Sequence, residues 1–62
     1  MQFQLTISLD NAEVEEAGVD QAVPTYLLQV IRGIETGNDH AGAWRVRDGN
    51  GNTIGQYVIS ED

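Results

Sequence analysis

The chain contains no cysteine and no lysine, and only one histidine, one proline and one tryptophan in 62 residues. Without cysteine there is no disulfide, no zinc-thiolate site and no thiol nucleophile; the absence also suits a reducing compartment. A single histidine, His40, leaves no second imidazole, cysteine or paired serine with which to build a triad or a metal site. Positive charge is scarce as well: three arginines face ten acids, for a net charge of −7. Such a surface repels phosphate backbones, so direct nucleic-acid binding is disfavoured. It suits basic partners, with fast and salt-sensitive association, and also keeps a small protein soluble. No stretch reaches the ~20 apolar residues of a membrane span. The opening Met1-Gln2-Phe3-Gln4 has neither the basic region nor the apolar run of a signal peptide. The expectation is one soluble, intracellular domain over residues 1–62.

A chain of this length buries only about 60% of the surface that it exposes when unfolded. With disulfides excluded, its support must come from a well-packed minimal core or from association with another chain.

Phe3, Leu5, Ile7 and Leu9 alternate with polar residues, the period of a strand with one buried face. Asp10 and Asn11 end it, both suited to turns and helix caps. The acidic stretch to Asp20, interrupted by Gly18, reads as a connecting loop with at most one helical turn. Asp20 is the expected cap of the main helix, with Pro24 in or near its first turn. Val23, Leu27, Val30, Ile31 and Ile34 then form an apolar stripe of helical period, with Gln29, Arg32 and Glu35 off it. Leu28 lies beside the stripe. Gly33 allows a close approach to the sheet or to another helix, and Gly37 suits the helix end. After a polar loop at residues 38–42, Trp44 and Val46 mark a second strand and Thr53 to Ser60 a third. The third slips phase, since Ile54 is out of step with Tyr57 and Ile59; a bulge at Gly55 would realign them. The order strand-helix-strand-strand predicts an α+β fold, a three-stranded antiparallel sheet with one helix on one face. Placing the first strand beside the third makes each neighbouring pair antiparallel.

Two stretches invite a chemical reading. Asp48, Asn50 and Asn52 alternate as in a calcium loop, but the sixth position is Thr53 rather than glycine and the twelfth is Ile59 rather than glutamate. Asn50-Gly51 between two strand-like runs is instead a hairpin signal. Glu13, Glu15 and Glu16 suggest a glycosidase-like carboxylate pair, yet a chain this short has little volume for the cleft such a pair needs. No catalytic residue, cofactor or metal is expected. The sharper reading of the acidic stretch is a patch that imitates the charge spacing of nucleic-acid phosphate. Its residues are Asp10, Glu13, Glu15, Glu16 and Asp20. Trp44 and Tyr57 are core residues or, where exposed, interface anchors.

Asp10-Asn11-Ala12, the helix end at Gly37, and Asp48, Asn50, Gly51, Asn52, Ile54 and Gly55 resemble a family of small phage-encoded proteins of unknown function. That family shows an Asp-x-Asn-Gly-Asn-x-Val-Gly-aromatic close. The chain departs from the pattern at Glu13, where an aromatic is expected, and at Tyr57, where tryptophan is usual. The resemblance implies a phage origin and a bacterial host cytoplasm, and supplies no catalytic residue. The function expected is therefore non-enzymatic: an acidic protein that occludes a basic surface of a host nucleic-acid-handling or defence complex, as an anti-CRISPR-like DNA mimic would. The alternatives are a self-associating module, a homodimer in its simplest form, built through Leu28 and Gly33, and a small-ligand binder formed between subunits.

Overall fold

The computed structural model describes residues 1–62 as β1 (Gln2–Ile7), α1 (Ala12–Ala17), α2 (Val19–Glu35), β2 (Gly42–Arg47) and β3 (Thr53–Ser60). The sheet runs β1-β3-β2 with both pairs antiparallel, and helices cover one face. The expected α+β class holds, with one addition. The acidic stretch read as a loop is a helix of its own.

Helix α1 forms because Asn11 caps it, its side-chain oxygen accepting the Val14 amide at 3.4 Å. Glu13 and Glu15 in the first turn suit the positive end of the helix dipole. Gly18 ends it at φ 89, where its amide donates to the Val14 carbonyl at 2.8 Å. The same residue opens α2, its carbonyl accepting the Ala22 amide at 3.0 Å. Asp20 therefore lies in the first turn and caps nothing, because α2 begins at Val19 and has no side-chain cap. Pro24 correspondingly falls in the second turn, where it removes one helical hydrogen bond.

The new helix also decides which side of α2 is buried. The core consists of Val14, Ala22, Tyr26, Val30, Val46 and Tyr57, with Leu5, Ile7, Ile34, Trp44 and Ile54 packed against it. Within α2 the buried row is Ala22-Tyr26-Val30, and the stripe through Val23, Leu27 and Ile31 is not the core face. Leu27 and Ile31 are exposed. Because α1 folds back on α2, the row beside Val14 becomes the interior. A tyrosine can occupy it because its hydroxyl finds polar partners there.

In the sheet, Leu5, Tyr57 and Trp44 stand in one row across the three strands, and Ile7, Gly55 and Val46 in the next. Trp44 stacks on Tyr57 at 5.4 Å between ring centroids, and Tyr57 is buried while Trp44 is half-buried. Both belong to the core side. Val46 pairs with Gly55, but Arg47 pairs with Thr53, so Ile54 is the extra residue of a bulge. The phase slip is thus absorbed one residue before Gly55, and Ile54 joins the core. Gly55 serves a different need, since any Cβ there would overlap the Thr6 carbonyl oxygen of β1.

Gly33 supplies the close approach to the sheet. A Cβ there would overlap the Tyr57 hydroxyl and lie 3.1 Å from Asn38 Nδ2. That amide donates to the Tyr57 oxygen at 2.9 Å. We expect Gly33→Ala to cost roughly 1–3 kcal/mol by overpacking. In a Tyr57→Phe background the added methyl should cost much less. A double-mutant cycle by urea denaturation checks this, and additive losses would show that the two residues do not compete for one space.

Candidate functional site

Two arrangements draw on the residues with chemical capacity: a buried polar node and an acidic corner beside it. The node starts from the hairpin. Asp48 is buried, and its carboxylate accepts the amides of Asn50 at 3.0 Å and Asn52 at 2.9 Å. It also accepts the side-chain amides of Asn52 at 3.4 Å and Asn11 at 3.2 Å. The turn closes through the Gly51 amide on the Asp48 carbonyl at 3.1 Å, with Gly51 at φ 84. These oxygens are engaged by donors, as a turn requires. The calcium-like spacing is the sequence of a five-residue hairpin loop, 48–52. The amide of Asn52, more than any other partner, holds the Asp48 carboxyl below its ordinary range, against the opposing effect of burial.

From Asp48 the node runs through Asn11 into the helices. Asn11 Nδ2 also donates to the Tyr26 hydroxyl at 3.1 Å, and that hydroxyl donates to Glu13 Oε1 at 2.7 Å. The other Glu13 oxygen accepts the Gly49 amide at 3.0 Å. Burial, reinforced by the neighbouring Glu13 and Asp48 charges, raises the Tyr26 pKa above 10.0, although the Asn11 bond works the other way. The phenol therefore stays protonated and keeps donating to Glu13. Three segments far apart in sequence are joined here: the capped start of α1, α2 and the hairpin. Tyr26 and Asn11 had no functional place in the sequence reading. The available signal was the Ala22-Tyr26-Val30 row at spacing four.

A groove of about 420 Å³ opens beside the node between α2 and the hairpin. Its polar wall includes Gln21, Thr25, Gln29 and Arg47. Gln29 is itself engaged, accepting the Arg47 amide at 3.0 Å and donating to the Arg47 carbonyl at 2.9 Å. This pairing ties α2 to β2.

The five acids singled out in sequence divide into two groups. Glu13 is half-buried and bonded within the node, so it is a structural carboxylate rather than part of a free patch. Asp10, Glu15, Glu16 and Asp20 are exposed. No arginine lies within 4.0 Å of any carboxylate; the one close ion contact is His40 with Asp39 at 3.7 Å, both solvent-exposed. The negative charge on α1 and at the start of α2 thus has no internal counterion. Of the two residues considered for self-association, Leu28 is exposed on α2 while Gly33 faces Tyr57. No cluster of three or more histidine, aspartate or glutamate side chains is placed to hold a metal, and no helix is long and apolar enough to cross a membrane. Comparison with protein-family models, with curated proteins and with solved structures found no match.

Proposed function

We propose that this chain is a non-enzymatic binding protein that presents its acidic helical corner to a basic surface of another protein. The observation that carries this reading is the exposure of Asp10, Glu15, Glu16 and Asp20 without a single arginine partner. Unpaired surface carboxylates keep their full attraction for an incoming cation, and a −7 chain steers basic partners toward itself. The resemblance of its strand end and hairpin to small phage-encoded proteins supports a bacterial host cytoplasm as the setting. A nucleic-acid-handling or CRISPR-type defence complex, with its phosphate-binding groove, is the partner to test first.

The test is a charge reversal that spares the fold. Glu15→Lys, Glu16→Lys and Asp20→Lys together should abolish capture of a basic partner from host lysate, while wild-type capture should weaken steeply with salt. Glu13 is left intact because it holds the node. Unchanged capture by the triple variant would sink the proposal.

A second reading, self-association, draws on the exposure of Leu27, Leu28 and Ile31. Sedimentation at micromolar concentration separates it, since a strict monomer removes it along with any ligand site formed between subunits.

A further inference from the structure

Helix α2 is apolar on two opposite sides. At about 100° per residue, Ala22, Tyr26, Val30 and Gly33 share the side that faces the core. Pro24, Leu27, Leu28 and Ile31, spaced i, i+3, i+4 and i+7, share the opposite side. The three larger of these are 39%, 42% and 51% exposed. Polar residues occupy only one flank: Gln21, Thr25, Gln29 and Arg32, the side that Gln29 fastens to Arg47 of β2. The other flank continues through half-buried Val23 and Ile34. Single exposed leucines need no explanation, but an ordered outward stripe of them marks an interaction surface.

The charges at the ends of this stripe say what fits on it. Asp20 lies one turn before Pro24 and Glu35 one turn after Ile31, both on the stripe itself and both exposed. The apolar centre is therefore closed by an acid at each end, roughly 22 Å apart at 1.5 Å per residue. A second copy of the chain matches this poorly. Antiparallel helices related by a two-fold axis at Leu27–Leu28 would set Asp20 against Glu35, twice. Parallel helices would set each acid against itself. Like charges brought together disfavour either pairing, between chains that each carry −7.

We infer that the outward stripe of α2 is the docking face for a basic amphipathic helix of another protein, with apolar residues at its centre and a lysine or arginine near each end. This rests on the acidic-binder reading and specifies it. Leu27, Leu28 and Ile31 anchor the partner by burial, while Asp20 and Glu35 fix its register.

The probe is a synthetic, fluorescein-labelled helix of about 18 residues, with leucine at i, i+3, i+4 and i+7 and two lysines at each end. A second peptide of identical composition has the leucines moved out of helical phase. Fluorescence anisotropy in about 0.15 M salt, where weak surface attraction is screened, should show the in-phase peptide binding. The out-of-phase peptide, and the Leu28→Ser/Ile31→Ser variant with the in-phase peptide, should each bind about tenfold or more weakly. Both substituted residues are exposed, so circular dichroism should show an unchanged fold. Equal binding of the two peptides, or of the variant and wild type, overturns the inference. So does a wild-type dimer that the double substitution dissolves, since the occupant would then be a second copy. If reversal of Glu15 and Glu16 abolishes binding while the leucine variant does not, the docking face falls and the acidic-binder reading stands. If neither set of substitutions matters, both fall.

Discussion

Gly55→Ala is expected to remove most of the chain's stability at 25 °C. The added Cβ would overlap the Thr6 carbonyl oxygen and lie 2.9 Å from Ile7 Cα. Those are backbone atoms of β1, so no side-chain rotation relieves the contact. Either β1 separates from β3 or the ladder shifts. Overpacking, with the backbone shifts that it forces, typically costs about 1–3 kcal/mol, and a contact with no side chain to yield belongs at the upper end. A core of this size supplies only about 3–5 kcal/mol in total. Urea denaturation followed by circular dichroism measures the loss, with Gln56→Ala, an exposed neighbour on β3, as the control. Gly51→Ala makes a useful contrast. Space there is open, but φ is 84, so its cost is conformational, about 1–2 kcal/mol. Equal losses at the two glycines would contradict the close-approach account.

Replacing Asp48 is the second large effect. Asp48→Ala withdraws the acceptor from two hairpin amides and from the side chains of Asn11 and Asn52 together. These bonds are partly sheltered from water and together close the hairpin and tie it to the cap of α1, so their joint loss is costly, and Tm should fall by roughly 10 °C or more. The effect must also depend on pH in a definite direction. The fold holds the Asp48 carboxyl below its ordinary 3.8, so the native state favours the ionised form. Its contribution is complete above the unfolded value and is lost as pH falls through the lower folded value. The Tm gap between wild type and Asp48→Asn should therefore be widest at neutral pH and narrow toward pH 2. Thermal melts across that range decide it, and a gap that widens in acid would contradict the assignment.

How much of this was legible in the sequence depends on the length scale of the cause. β1, the hairpin and β3 follow from alternation and from Asn50-Gly51, which are local signals. The phase slip at Ile54 was visible because a two-residue period leaves no room for an unexplained residue. The orientation of α2 was not. Its apolar residues are spread over two faces, and the choice between them falls to α1, whose Val14 packs on the Ala22-Tyr26 side. Hydrophobicity alone favoured Leu27 and Ile31. The same dependence hid the role of Glu13. By composition it is one more acid in an acidic run, yet its carboxylate meets Tyr26 and Gly49, residues that are distant along the chain. Glu15, Glu16 and Asp20 were readable as exposed charge because no packing partner intervenes.

The β1–β3 ladder, which sets Gln2 beside Ser60 and Ile7 beside Gly55, has a kinetic consequence. Its partners are separated by nearly the whole chain, so forming it demands the largest loop closure in the molecule. The helices and the β2–β3 hairpin join near neighbours and can organise first. Emerging from a ribosome, β1 would wait unpaired until β3 arrived, with Phe3, Leu5 and Ile7 open to other strands. Substitutions in β1 should chiefly hasten unfolding, whereas those in the β2–β3 hairpin should slow refolding. The step that completes the sheet is thus also the one most exposed to mispairing while the protein is being made.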